Sequence, residues 1–173
     1  VLNLKQTLNK HIETLNTEKK INIDIQKLSL NNTLNIVKES ISESIKSSKA
    51  KLIVDFSEVP SITFSSFYLQ SIFLNLLSNA IKYVDLKRKP IISITSKRVN
   101  NKTQIIFSDN GIGFDMEKVK GDIFKLHQTF HNHPDSKGIG LFLVKSHLES
   151  LGGTIEVESK VNVGTTFTLT FKE

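Results

Sequence analysis

The chain has 173 residues, 38% of them hydrophobic, which is enough for one well-buried core and too few for two full domains. With no cysteine it has neither disulfides nor thiolate metal sites, and no run of about 18 apolar residues or cleavable apolar leader marks a membrane span or a signal peptide. Its 23 basic residues give a net charge of +6 but are scattered along the chain, which argues for a solvated basic surface rather than nucleic-acid binding, and a cytoplasmic, reducing setting is the expectation.

The first residues carry Leu4, Leu8, Ile12 and Leu15 at helical spacing. This predicts an amphipathic helix whose stripe packs on an upstream helix, on a second chain or back onto its own domain. Ile21, Ile23 and Ile25 alternate, which fits a connector or edge strand. Leu34, Ile36, Val37, Ile41 and Ile45 return to helical spacing and predict a helix from about Asn32 to Ser48. A short buried strand is expected from Leu52 to Phe56, with Pro60 closing the loop after it, and then a long helix from about Ser65 to Val84. Two strands near Ile91 to Val99 and Thr103 to Ser108, turning at Asn100 and Asn101, read as a hairpin.

All eight glycines follow Asn110, so the second half is built from glycine loops around one helix, expected from Ile139 to Leu151 and stopped by Gly152 and Gly153. Strands near Thr154 to Ser159 and Thr165 to Phe171 close the chain. The leading helix and its connector set the predicted domains at 1–27, a helix end with its connector, and 28–173.

Four stretches carry the chemistry. In the long helix, Asn75, Asn79, Lys82 and Tyr83 share a face, opposite Phe73, Leu76, Leu77, Ala80 and Val84. Two amides, an ammonium and a phenol suit a polar pocket: asparagine oxygens can coordinate a magnesium held by ATP, and the lysine can neutralise phosphate charge. Amides satisfied by local hydrogen bonds are the plainer alternative. Asp109, at a strand end before Asn110, Gly111, Ile112 and Gly113, can accept a hydrogen bond from an exocyclic amine while the glycines let backbone approach a flat ring; by itself such a motif is more often a turn. Lys137, Gly138, Ile139, Gly140 and Leu141 enter a helix, where free N–H groups favour phosphate. In Gly164, Thr165, Thr166 and Phe167, the Thr165 hydroxyl can reach a base from the side opposite Asp109.

In this order the four stretches resemble the asparagine box, the two glycine boxes and the closing Gly-Thr-x-Phe of the histidine-kinase ATPase family, the Bergerat-type nucleotide fold. The resemblance covers about Leu28 to Glu173. It implies an α+β fold, a two-layer sandwich of a mixed sheet with helices on one face, preceded here by an N-terminal helix. It implies ATP and magnesium as ligands, with Asn79 on the metal, Asn75 beside metal and phosphates, Lys82 on phosphate, Tyr83 flanking adenine and Asp109 reading its amine. Gly113 to Lys137 resembles the family's mobile lid, with Phe124 and Phe130 in its phenylalanine box.

Relatives of the gyrase and Hsp90 type carry a glutamate, the base for an attacking water, where this chain has Asn75. An amide accepts no proton at neutral pH, so transfer to a histidine is expected over hydrolysis. The acceptor context, His-Asp/Glu-x-x-x-Pro, is absent around His11, and 1–18 reads as the end of a dimerisation hairpin. The expected partners are therefore the protein's own dimerisation and phosphoacceptor helices, as a homodimer, and a response-regulator receiver domain, in a parent protein anchored in the inner membrane. An anti-sigma-factor serine kinase is the alternative. His131 and His133 read as decoration of the lid, and His127 and His147 as ordinary surface or helix-face residues.

Overall fold

The computed structural model describes residues 23–119, 122–125 and 139–172. The expected N-terminal helix with His11 lies outside them, as do Phe130, Lys137, Gly138 and the histidines 127, 131 and 133.

Strand β1 (Ile25–Ser29) continues the isoleucine alternation and pairs antiparallel with β3 (Ser61–Ser65) in a two-stranded ribbon. The sequence reading has no counterpart for β3, whose two serines and brevity gave no strand signal. Each ribbon strand ends in a serine that caps the following helix. Ser29 Oγ accepts from the Asn32 N–H at 3.3 Å and starts α1 (Leu30–Ser40), while Ser65 Oγ accepts from Tyr68 at 3.5 Å and starts α3 (Ser66–Lys82). Such caps contribute about 1 kcal/mol each.

The helix expected over Asn32 to Ser48 is two, α1 and α2 (Ser42–Ser48). They break at Ile41, which sits at φ −123° and ψ 25°. β-branched Ile41 lies between serines, and Ser40 Oγ donates to the Val37 carbonyl at 2.7 Å, so local side-chain bonding competes with the helical ladder.

The main sheet has five strands in the order β2 (Lys51–Asp55), β4 (Ile91–Val99), β5 (Lys102–Asp109), β7 (Gly164–Phe171) and β6 (Thr154–Lys160). β2 runs parallel to β4 and every other pair is antiparallel. The expectation of a buried first strand is corrected. β2 is the sheet edge and alternates exposed with half-buried positions, Ile53 facing out, and charged Lys51 and Asp55 guard the edge. The β4–β5 hairpin turns where expected, because Asn100 and Asn101 both take positive φ, 48° and 64°.

Alternation along β4, β5 and β7 sends Ile92, Ile94, Ile105, Phe107, Phe167, Leu169 and Phe171 inward. They meet Leu69, Phe73, Leu76 and Leu77 of α3 and Val144 and Leu148 of α5 (Gly140–Glu149), with Phe73 edge-on to Phe107 at 5.4 Å. The other face is polar, with Ser108 bonded to Thr166 at 2.9 Å and Gln104 to Thr170 at 3.2 Å. The architecture is the mixed two-layer sandwich expected, and it leaves the polar side of α3 beside the start of α5 and the end of β5.

Candidate functional site

The core face of α3 determines what its other face can offer. With Phe73, Leu76, Leu77 and Ala80 buried, Asn75, Asn79 and Lys82 are carried to the opposite side, all half-buried. Tyr83 and Val84 fall just beyond the helix, Tyr83 as its C-cap.

Asn75 has a fixed orientation. Its Nδ2 donates to the Ser71 carbonyl at 2.8 Å and reaches the Ser71 Oγ at 3.4 Å. The amide donor is thus used within the helix, and Oδ1 faces the start of α5, where a β-carbon on Gly140 would come within 2.8 Å of it. The α5 N-cap, Ile139, makes no side-chain cap, so among the described residues no cap covers the N–H groups of the first turn, at Gly140, Leu141 and Phe142. Asn79 lies one turn beyond Asn75, its carbonyl accepting the Tyr83 N–H at 2.9 Å. The Lys82 ammonium sits over the Tyr83 ring, 5.5 Å from its centroid.

Asp109 ends β5. Its Oδ1 accepts the Gly111 N–H at 2.8 Å, and Thr165 is its partner across the β5–β7 ladder. Burial raises the Asp109 carboxyl above its ordinary value, opposed by the backbone N–H groups of Gly111 and Thr165 and by the positive charge of Arg88. Thr165 is buried, and its hydroxyl lies 2.9 Å from Ser159 Oγ, which in turn accepts from the Phe114 N–H at 2.9 Å. Thr165 is therefore a ladder neighbour of Asp109.

The loop after Asp109 is packed backbone to backbone. The Ile112 N–H donates to the Tyr83 carbonyl at 2.9 Å, and the Asn162 N–H to the Ile112 carbonyl at 2.7 Å. Any side chain at Gly111 would strike the Tyr83 carbonyl, and one at Gly113, at φ 58°, the Lys160 carbonyl. These glycines are needed for close approach of protein backbone to itself, which the sequence reading had assigned to close approach to a ring. Asn110 braces the same loop, accepting from the Ile91 N–H at 2.8 Å and donating to the Lys89 carbonyl at 2.9 Å.

The site thus joins the polar side of α3, the start of α5 and the β5 loop. Sequence reasoning missed one participant. Arg88, one of only two arginines in the chain, donates from Nη2 to the Gly111 carbonyl at 2.6 Å. Of the two readings of His147, surface or helix face, the structure has the second. The histidine is 2% exposed and stacks on Tyr68 at 4.2 Å, inside the packing of α3 against α5. Among the described residues no group of three or more His, Cys, Asp or Glu could hold a metal. The donor shown beside α5 is the Asn75 amide oxygen, a type that suits magnesium, which keeps several waters and takes further oxygens from substrate phosphates.

Residues 65–173 match the family described as histidine kinase-, DNA gyrase B-, and HSP90-like ATPase. The heme sensor protein HssS of Staphylococcus saprophyticus is 31% identical over 140 residues, which is 80% of this chain and 30% of that protein. Histidine protein kinase SaeS of Staphylococcus aureus is 28% identical over 92% of this chain and 46% of its own length. The chain therefore spans less than half of these relatives. Among solved structures, the catalytic domain of histidine kinase ThkA superposes with a TM-score of 0.70 at 21% identity, covering 86% of this chain and 97% of that one. The Acinetobacter baumannii histidine kinase AdeS does so with 0.75 at 19% identity, covering 99% and 81%. These likenesses show a shared fold.

Proposed function

The chain belongs to the histidine kinase-, DNA gyrase B- and HSP90-like ATPase family, and on that premise we propose that it is the catalytic domain of a two-component sensor histidine kinase. It binds ATP and delivers the γ-phosphoryl group to a histidine on a dimerisation helix of the same homodimeric protein, from which a response-regulator receiver domain takes it.

The observation that carries this reading is Asn75, one turn before Asn79, with its oxygen facing the uncapped start of α5. A carboxylate there would take a proton from water. An amide takes none, whereas a neutral imidazole nitrogen is already a nucleophile. The new N–P bond forms as the bond from γ-phosphorus to the bridging oxygen breaks, with the charge leaving on ADP. The protein's part is orientation and electrostatic stabilisation.

Asn79 would hold magnesium, with Asn75 beside it, and the ion would supply positive charge at the phosphate oxygens. Lys82 and the first-turn N–H groups at Gly140 and Leu141 bind phosphate, and Lys137 and Gly138 belong to the same loop. Asp109 accepts the adenine amine and Tyr83 flanks the ring. Gly111 and Gly113 fix the loop, and Thr165 braces Asp109 from β7.

Calorimetric titration with ATP and magnesium tests the site. Asp109→Asn should weaken ATP at least about ten-fold, since a hydrogen bond to a charged group contributes about 1.5–3 kcal/mol. An unchanged affinity sinks the assignment. The same variant should melt higher at neutral pH. With its folded pKa raised, Asp109 favours the folded state while protonated, and that contribution is lost as pH rises through the raised value. Asparagine removes both the buried charge and its pH dependence, so equal melting of the two chains at neutral pH contradicts the burial argument.

A further inference from the structure

The segment after α3 holds the Asp109 loop at two points, the Asn110 amide on the Lys89 carbonyl at 2.9 Å and one peptide group. The peptide joining Gly111 to Ile112 is gripped at both ends: its N–H donates to the Tyr83 carbonyl at 2.9 Å, and its carbonyl accepts Arg88 Nη2 at 2.6 Å. One residue back, the Gly111 N–H holds Asp109 Oδ1 at 2.8 Å. The geometry points to Arg88 as a positioning residue for base selection, clamping the Gly111 carbonyl so that the Asp109 carboxylate is fixed before nucleotide arrives. This inference rests on Asp109 as the reader of adenine.

Arg88 is itself pre-shaped. Asp85 makes a tight turn by accepting the Lys87 N–H at 2.9 Å on its side chain and the Arg88 N–H at 3.2 Å on its carbonyl. The Asp85 carboxylate then lies 3.5 Å from Arg88 Nε, near enough for charge attraction though not aligned as a hydrogen bond. That leaves Nη2 pointing at Gly111. A planar guanidinium, anchored on one side and donating on the other, transmits position in a way a single ammonium does not. The Arg88 charge also favours the ionised form of the carboxylate it positions.

A clamp acting through Asp109 differs from a general brace in which nucleotide feels its loss. Guanine offers no amine at the adenine position, so its binding rests on phosphate contacts that Arg88 does not touch. Calorimetry on Arg88→Ala, Arg88→Lys, Asp109→Ala and the Arg88→Ala/Asp109→Ala double variant separates the two. Arg88→Ala should weaken ATP about ten-fold with GTP little changed, Arg88→Lys should restore part of the loss, and the double variant should match Asp109→Ala alone, because coupled residues are not additive. Amide exchange at Ile112 in the nucleotide-free chain should quicken in Arg88→Ala while the β4–β5 hairpin stays protected, which guards against a variant that simply unfolds. If Asp109→Ala abolishes the ATP preference while Arg88→Ala keeps it, or if the two losses add in full, the Arg88 inference is overturned and Asp109 keeps its role. If Asp109→Ala leaves the preference intact, the reading of Asp109 falls and this inference falls with it.

Discussion

Asn79→Ala should lower magnesium-dependent phosphoryl transfer by at least about 100-fold, the scale on which metal sites respond to lost oxygen partners. The fold should hardly notice. The Asn79 side chain is half-buried on the polar side of α3, while the contacts that hold the helix come from Phe73, Leu76, Leu77 and Ala80 opposite. Alanine is also the better helix former. Catalysis and stability are thus expected to separate at this position: transfer and magnesium-dependent ATP affinity collapse while the urea midpoint stays level or rises. An Asn79→Ala chain with full transfer would remove the metal assignment altogether.

Gly164→Ala should produce the opposite pattern, a large loss of stability that takes the site with it. Gly164 has φ 140°, a conformation essentially reserved for glycine, and a β-carbon there would overlap the Asp109 carbonyl oxygen and lie 2.9 Å from the Asn110 Cα. The colliding atoms are backbone of the central strand and of the loop that carries the adenine reader, so neither can swing aside. Backbone strain and overlap in one core position place the expected cost at about 3 kcal/mol or more, seen as a lower urea midpoint. Gly140→Ala is the informative contrast, because among the described residues its new methyl meets the Asn75 side chain, whose oxygen would lie 2.8 Å away, and no backbone. A Gly164→Ala chain as stable as the parent would mean that the β5–β7 junction is looser than its geometry indicates.

The sequence disclosed the fold where one signal dominated. The β4–β5 hairpin was legible because two asparagines in succession accept positive φ, and α3 because its apolar face repeats over its whole length. Legibility failed where competing tendencies were close. The α1–α2 break turns on Ile41 among serines, and β3 is a short serine-flanked segment whose identity as a strand comes from β1, far away in sequence. β2 read as buried because its apolar content hides that it is an edge.

The candidate site divides in the same way. Asn75, Asn79, Asp109, Gly111, Gly113 and Gly140 stood out through motifs that resemble a known family, and the structure sets Gly140 against Asn75 and Gly111 against Asp109 and Tyr83. What holds them did not. Arg88 acts on a carbonyl 23 residues ahead of it, and a backbone acceptor leaves no mark in a sequence. The one available sign was its being an arginine in a chain that otherwise uses lysine almost throughout. For His147 the sequence left surface and helix face open, since a histidine on a helix gives no hint that a tyrosine from another helix will stack on it.

The central claim is that the γ-phosphoryl group goes to histidine and not to water. The direct measurement incubates this chain with radiolabelled ATP, magnesium and a separate polypeptide carrying the proposed dimerisation helices. The label on that polypeptide and the free phosphate released are then followed together. The account predicts label on the helices that survives alkali and is lost in acid, as a phosphohistidine is, with little phosphate released in their absence. Steady phosphate release with no labelled polypeptide would contradict it and make the chain a hydrolase despite Asn75.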